Sequence, residues 1–250
     1  MKDTTIFESL DPELMSEVQN RRAAVSRTAK MAGVVAIASM PVALGLMAKR
    51  AVAQGGLPQG IIDVLNFALT LEYLENEFYQ TGLGTGGLIP GADLPIFQQI
   101  AKHETAHVAL LQSVLGASAV AKPTFDFTAT GAFDPFNDYA TFQALSQGFE
   151  DTGVRAYKGQ APALMADNTI LTTALRIHSV EARHASEVRR LRGQKGWITG
   201  NQTDVSALGP VYAGEEAGNG AATSSAAAEA FDEPLTMDQV NAIAGLFIVS

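Results

Sequence analysis

Two short motifs place a carboxylate and an imidazole one helical turn apart, and the four histidines of the chain all lie in or beside them. The motifs are Glu104-x-x-His107 and Glu181-x-x-His184. Residues three apart on a helix share a face, so each motif would present both groups in one direction. A single motif of this kind is common on exposed helices as an ion pair, whereas two on separate helices indicate a shared site.

The two motifs have matched partners elsewhere in the chain. Two further glutamates, Glu72 and Glu150, are each followed seven residues later by a tyrosine, which is two turns along the same helix face. These tyrosines are Tyr79 and Tyr157. Glu72 precedes Glu104 by 32 residues, and Glu150 precedes Glu181 by 31. The chain therefore contains a repeated unit, Glu…Tyr followed by Glu-x-x-His, whose two copies would surround one central point.

The chemistry of this set depends on how its four carboxylates are neutralised. Carboxylates that share a buried site cannot all stay ionised unless positive charge lies nearby. Two divalent cations would balance them, and the imidazoles would add neutral nitrogen ligands. One Glu from each of two helices plus Glu-x-x-His from each of two others is the ligand set of dinuclear iron and manganese sites. The predicted metal ligands are Glu72, Glu104, His107, Glu150, Glu181 and His184.

The donor types narrow the choice of metal. Oxygen and nitrogen ligands without sulfur favour Fe or Mn, because zinc usually prefers four-coordinate sites. We therefore expect two divalent ions, Fe or Mn, with Glu72 and Glu150 as the candidates to bridge them. Glu75 shares a face with Glu72 and is the alternative ligand at that position. Glu72 is favoured because Tyr79 follows it at the spacing that is repeated in the second half.

Other polar residues near the motifs have weaker assignments. Tyr79 and Tyr157 are candidate catalytic residues that could hydrogen-bond a ligand carboxylate or relay an electron, and ordinary core tyrosines are an equal alternative. His103 projects about 100° away from Glu104 and is expected to lie outside the site. His178 is expected to be a hydrogen-bonded helix residue rather than an auxiliary ligand.

Four stretches of helical periodicity would carry these residues. They are residues 58–82, about 94–116, about 137–160 and about 169–193. Proline in the first turn, Asp before the start and Gly after the end are typical signals of helix boundaries. Strand signals are weak throughout. The sequence therefore predicts an all-α protein with four long helices.

The connections between these helices predict the topology. Short loops join the first helix to the second and the third to the fourth, which makes each pair antiparallel. The longer connection between the second and third helices can cross the length of the bundle, as in the ferritin-like topology. Residues 54–193 would then form this bundle. Residues 194–250 would form an irregular C-terminal arm, with a short terminal helix in "PLTMDQVNAIAGLFI".

Composition excludes two classes of chemistry. The chain contains no Cys, so neither a disulfide nor a thiolate is available. The net charge is −9, which argues against nucleic acid as a partner because phosphate binding requires clustered Lys and Arg.

Residues 1–53 resemble an export signal. Arg21-Arg22 precede the 17-residue apolar run 31–47, which Ala51-Val52-Ala53 follow. A basic region, an apolar region and a small-residue cleavage site in this order predict cleavage near Ala53, and the paired arginines resemble a twin-arginine signal. An uncleaved anchor is the alternative, although the run is shorter than a membrane span usually needs. The cleaved chain would be periplasmic or extracellular, with a net charge of −11.

The Glu…Tyr and Glu-x-x-His pattern resembles the ferritin-like superfamily. The stretches "LNFALTLEYLENEFYQTGL" and "EAFDEPLTMDQV" are similar to an exported ferritin-like family that includes desiccation-related proteins. The superfamily resemblance implies a four-helix bundle whose dinuclear metal site reacts with dioxygen or peroxide. The closer resemblance implies a stress-linked protein. The long arm differs from the short fifth helix of cage-forming ferritins. A 24-subunit cage is therefore not expected, whereas a smaller oligomer is possible.

Two functions follow as expectations. The first is a di-metal ferroxidase or manganese-catalase-like enzyme. The second is a non-catalytic protein that protects against drying or binds a partner on the same scaffold.

Overall fold

Four long helices carry the predicted site in the computed structural model, which describes residues 56–220 and 225–249. They are α1 (Gln59–Gly84), α2 (Leu94–Leu115), α3 (Tyr139–Gln160) and α4 (Asn168–Leu191). Three short α-helices follow within the described residues: α5 (Gly209–Tyr212), α6 (Ser225–Ala230) and α7 (Met237–Ala244). The described residues form no strand beyond isolated bridges. The all-α prediction is confirmed, and the predicted export signal at residues 1–53 lies outside the described residues.

Aspartates precede three of these helices. Two of them cap the helix that follows, and the third bonds a residue of another helix. Asp138 accepts a hydrogen bond from the Thr141 backbone N–H at the start of α3, and Asp167 caps α4 in the same way. Asp93 precedes α2 without capping it. Its carboxylate instead accepts a 2.7 Å hydrogen bond from the hydroxyl of Tyr139. The start of α3 is thereby held beside the start of α2.

The helices pair as the loop lengths predict, α1 with α2 and α3 with α4. The connection from α2 to α3 runs along α1. The Asn66 side chain bonds the backbone of Val120 near the start of α1. Further along, Lys122 pairs with Glu77. A connection that follows α1 to its far end is the long crossover of the ferritin-like topology.

An aromatic cluster fills the end of the bundle where α3 begins. Phe78 of α1 stacks on Phe142 of α3 with ring centroids 4.9 Å apart. Gly82 lies over the same ring, and a Cβ there would approach Phe142 to 2.3 Å. The sequence predicted Gly82 as the helix stop, yet α1 continues to Gly84. Gly82 therefore permits close packing between α1 and α3 rather than ending α1.

The residues after α4 pack on α3 through a buried cation. The Arg155 guanidinium donates to the carbonyls of Val211, Ala213 and Glu233. Its Nε lies 2.8 Å from a carboxylate oxygen of Glu215, which is fully buried. The described part of the arm is thus attached to the bundle, which its Gly- and Ala-rich composition did not indicate. Within the described residues, no helix is both long enough and apolar enough to cross a membrane.

Candidate metal centre

The six predicted ligands meet in the interior of the bundle, one or two from each long helix. The four carboxylates are at most 1% exposed, and the two imidazoles are 8% and 5% exposed. They divide into two groups, each with the ligand atoms of its members within 4.8 Å of one another. The first, here the His107 group, comprises Glu72, Glu104, His107 and Glu181. The second, here the His184 group, comprises Glu104, Glu150, Glu181 and His184.

Three carboxylate oxygens surround Nδ1 of His107. They belong to Glu72 at 3.2 Å, Glu104 at 3.1 Å and Glu181 at 3.0 Å. Nδ1 of His184 has the same surroundings. Its distances are 3.0 Å to Glu104, 3.1 Å to Glu150 and 3.2 Å to Glu181.

Glu104 and Glu181 belong to both groups. Glu104 directs Oε2 to His107 and Oε1 to His184, and Glu181 directs Oε1 to His107 and Oε2 to His184. Glu72 and Glu150, which the sequence indicated as the bridging candidates, each belong to one group only. Glu104 and Glu181 are the residues that would hold both ions, because α2 and α4 place them between the two imidazoles. Spacing along the chain could not show which pair lies at the centre.

Two buried oxygens test whether the residues fit a cation. Oε1 of Glu104 and Oε1 of Glu181 have no hydrogen-bond partner within the described residues. Each lies 3.0 Å from an imidazole Nδ1, but one nitrogen carries at most one proton and cannot donate to three oxygens. A cation inside either group would contact all of its donors, including these oxygens. The donor set therefore fits metal binding.

The two tyrosines hold the outer carboxylates across the pseudo-two-fold axis. The Tyr79 hydroxyl donates to Oε1 of Glu150 at 2.6 Å, and the Tyr157 hydroxyl donates to Oε1 of Glu72 at 2.5 Å. Each tyrosine thus supports the glutamate of the other half of the repeat. The hydrogen-bonding role that the sequence offered as one alternative is the one seen here.

Burial and mutual charge effects shift the pKa values of the site residues. Burial raises the pKa of Glu72 to about 7 despite the opposing effect of His107. Burial and the neighbouring Glu104 raise the pKa of Glu181 well above its usual value. Burial disfavours the charged form of His184, but the carboxylates around it, Glu150 foremost, raise its pKa to about 12. The raised pKa values favour the protonated forms of Glu72, Glu181 and His184, and a bound divalent cation would compete with these protons.

Three nearby residues differ in their relation to the groups. Glu75 is buried but belongs to neither group, which favours Glu72 over it as the ligand. Oε1 of Glu75 faces Gly153, and a Cβ added to Gly153 would lie 3.2 Å from this oxygen. His178 is also in neither group. His103, expected to be a bystander, bonds directly to His184, with 2.8 Å between Nδ1 of His103 and Nε2 of His184.

Fold and site together define a helical-bundle protein with buried carboxylate–histidine clusters. A model of the ferritin-like domain family matches residues 60–194, which is more than half of the chain and spans nearly all of the four long helices. The chain therefore belongs to the ferritin-like domain family. A comparison with curated proteins finds no significant match.

Proposed function

We propose that the protein binds two Fe or Mn ions, one in each group, and oxidises them with an external oxidant. The observation that carries this proposal is the sharing of Glu104 and Glu181 between the groups. Glu104 and Glu181 would hold both ions close together, and two Fe or Mn ions would supply electrons to an external oxidant. A pair of unrelated single-ion sites would not need shared ligands.

The donor types support Fe or Mn over zinc. Each group offers carboxylate oxygens and one imidazole nitrogen without sulfur, and its four protein donors would leave positions open on a six-coordinate ion, whereas zinc usually prefers four ligands.

The surrounding residues keep the ligands in place during a change of metal charge. Tyr79 and Tyr157 hold one oxygen of each outer carboxylate. The other oxygen stays directed at the imidazole of its group. This arrangement limits the movement of the outer carboxylates, so that rearrangement would fall on Glu104 and Glu181, which have unpartnered oxygens.

An apolar cavity supports dioxygen rather than peroxide as the oxidant. It measures about 20 Å³ and is bordered by all four long helices, with residues such as Leu65, Leu111, Tyr157 and Ala174 in its wall. A hydrogen-bonding molecule such as peroxide would lose its water partners against these apolar walls, whereas dioxygen has none to lose. Tyr157 lies between the cavity and the site, because it lines the cavity and its hydroxyl bonds Glu72.

Export and a stress role complete the proposal. The signal-like residues 1–53 would direct the chain to the periplasm or the outside of the cell, and a twin-arginine route would let metal be loaded before export. The resemblance to exported desiccation-related proteins supports protection against oxidative stress. Metal ions and dioxygen are then the partners of the protein, and nucleic acid is not.

Metal loading followed by oxidation tests the function. The metal-free protein is loaded anaerobically with Fe(II) or Mn(II), and the bound metal is counted. We expect two ions per chain, and rapid oxidation of bound Fe(II) by dioxygen in stopped-flow absorbance. Glu104→Gln should reduce both, while Glu187→Gln, on the same bundle but outside both groups, should not.

Two results would count against the proposal. Fewer than one ion per chain after loading would exclude a metal protein. Two bound ions that react with neither dioxygen nor peroxide faster than free Fe(II) or Mn(II) would exclude the redox function. The second result would leave the non-catalytic alternative, in which the metal only stabilises the scaffold.

A further inference from the structure

The two imidazoles of the site differ on the side that faces away from the carboxylates. Nε2 of His184 lies 2.8 Å from Nδ1 of His103, with the two ring planes 11° apart. Nε2 of His103 in turn lies 2.7 Å from Nε2 of the exposed Gln99 side chain, an amide whose nitrogen and oxygen can exchange places by a flip. A hydrogen-bonded chain thus leads from the buried His184 group to the surface of α2.

The other half of the repeat lacks this chain. His103 directly precedes Glu104, and the residue that directly precedes Glu181 is Val180. Valine offers no hydrogen bond, and within the described residues none reaches Nε2 of His107. The pseudo-symmetry that holds for the ligands and tyrosines is therefore broken here, with the additional imidazole beside the His184 group.

The broken symmetry matters because an imidazole ligand needs a defined tautomer. A metal bound at Nδ1 of His184 requires the proton to be on Nε2, and a partner that accepts this proton holds the ring in that state and orientation. Nδ1 of His103 is placed to accept it. His103 would then donate from Nε2 to the Gln99 amide, which can turn to present its oxygen.

We propose that His103 is a positioning residue that gives the His184 group a higher affinity for a divalent cation than the His107 group. This inference rests on the proposed metal binding but not on the proposed oxidation. It predicts that the two ions bind sequentially, in the His184 group first.

The test is anaerobic titration of the metal-free protein with Co(II), followed by visible absorption and calorimetry. We expect two binding steps in the wild type. His103→Ala should weaken the tighter step by roughly 10- to 100-fold, the usual effect of removing such a partner, and leave the weaker step unchanged. His103→Asn should restore most of the affinity, because its side-chain oxygen can accept the same proton. Lys102→Ala, an exposed neighbour, is the matched control.

Two variant backgrounds, each with one group disabled, show which group contains the binding step that His103→Ala weakens. Glu72→Gln disables the His107 group and leaves the His184 group, so His103→Ala should still weaken binding there. Glu150→Gln disables the His184 group, so His103→Ala should have no effect. With Zn(II) as a diamagnetic probe, ¹⁵N NMR of the histidines should show His184 with metal at Nδ1 and a proton at Nε2.

Several outcomes overturn the inference. Equal weakening of both steps, an effect in the Glu150→Gln background, or no rescue by His103→Asn in a folded variant would each show a general structural role. Co(II) binding that behaves as expected, in a protein whose bound Fe(II) is not oxidised, would refute the proposed function alone. A wild type that binds no Co(II) would overturn both.

Discussion

The hydroxyl of Tyr157 donates a 2.5 Å hydrogen bond to Oε1 of Glu72, although the two residues lie 85 positions apart in different halves of the repeat. Tyr79 and Glu150 form the reciprocal bond. The two halves of the site are therefore interlocked, because each outer carboxylate depends on a side chain of the other half.

Removing one of these hydroxyls should affect one group more than the other. Tyr157→Phe keeps the ring but leaves Oε1 of Glu72 without its donor, which should cost about 1–3 kcal/mol of folding free energy. It should also weaken metal binding in the His107 group by roughly 10-fold. Denaturant unfolding and Co(II) titration measure the two effects. Tyr73→Phe, which also removes the hydroxyl of a buried tyrosine, is the control for metal binding and should leave both binding steps unchanged.

The stability of the metal-free protein should fall as the pH rises. Folding raises the pKa of Glu72 from 4.5 to about 7 and that of His184 from 6.5 to about 12. A group with a raised pKa contributes fully below its unfolded pKa, and the contribution is lost as the pH rises through the folded value. The lowered pKa of Glu104 has the opposite effect on stability, but the groups with raised pKa values are more numerous.

Denaturant unfolding at pH 5, 6.5 and 8 measures this dependence. We expect a loss on the order of 2 kcal/mol or more between pH 5 and 8, since one unit of pKa shift corresponds to about 1.4 kcal/mol. Saturating Mn(II) should reverse the slope, because metal ions displace the protons and bind better at higher pH. A flat profile for the metal-free protein would contradict the raised pKa values.

Glu75 and Glu72 should respond differently to the same substitution. Glu72→Gln removes a member of the His107 group and should abolish the binding step of that group. Glu75→Gln should leave two ions bound. It should also stabilise the metal-free protein at pH 8, because burial and the surrounding carboxylates raise the pKa of Glu75 and make its charged form costly. If Glu75→Gln abolished a metal site instead, Glu75 would be the ligand.

Filling the apolar cavity should slow the oxidation of bound Fe(II) by dioxygen more than its oxidation by peroxide. Ala174→Leu adds bulk to the cavity wall, so oxidation of bound Fe(II) by dioxygen should slow by roughly 10-fold at unchanged metal content, a loss of about 1.4 kcal/mol in barrier terms. Oxidation by peroxide should change little if peroxide enters elsewhere. Stopped-flow absorbance compares the two oxidants, and Leu175→Ala, at an exposed position on the same helix, serves as the control.

Arg155 should be a main determinant of how the arm is attached. Arg155→Met leaves the Glu215 carboxylate buried without its cation, which should cost about 3–5 kcal/mol. Adding Glu215→Gln should recover part of this loss, because the uncompensated charge is then removed. Denaturant unfolding gives both values. The substitution Arg176→Met, at an exposed position on α4, should change stability by less than about 0.5 kcal/mol.

The helices were predictable because their signals are local. Apolar periodicity, Asp138 and Asp167 before helix starts, and proline in first turns act within a few residues, and the boundaries agree to within about two residues. The candidate ligand set was predictable for a related reason, since Glu104 and His107 share a face of any α-helix. The arm was less predictable, because its attachment depends on Arg155, which lies on α3 far from it in sequence.

By itself, the sequence determined the four helices and the six residues that meet between them, because helical periodicity and repeated spacing are properties of the chain. Tertiary structure decided which carboxylates lie at the centre, which tyrosine supports which glutamate, and that His103 contacts His184. These relations depend on how helices rotate and cross when their apolar faces pack. Residues on separate helices carry no local signal of the distance that will separate them.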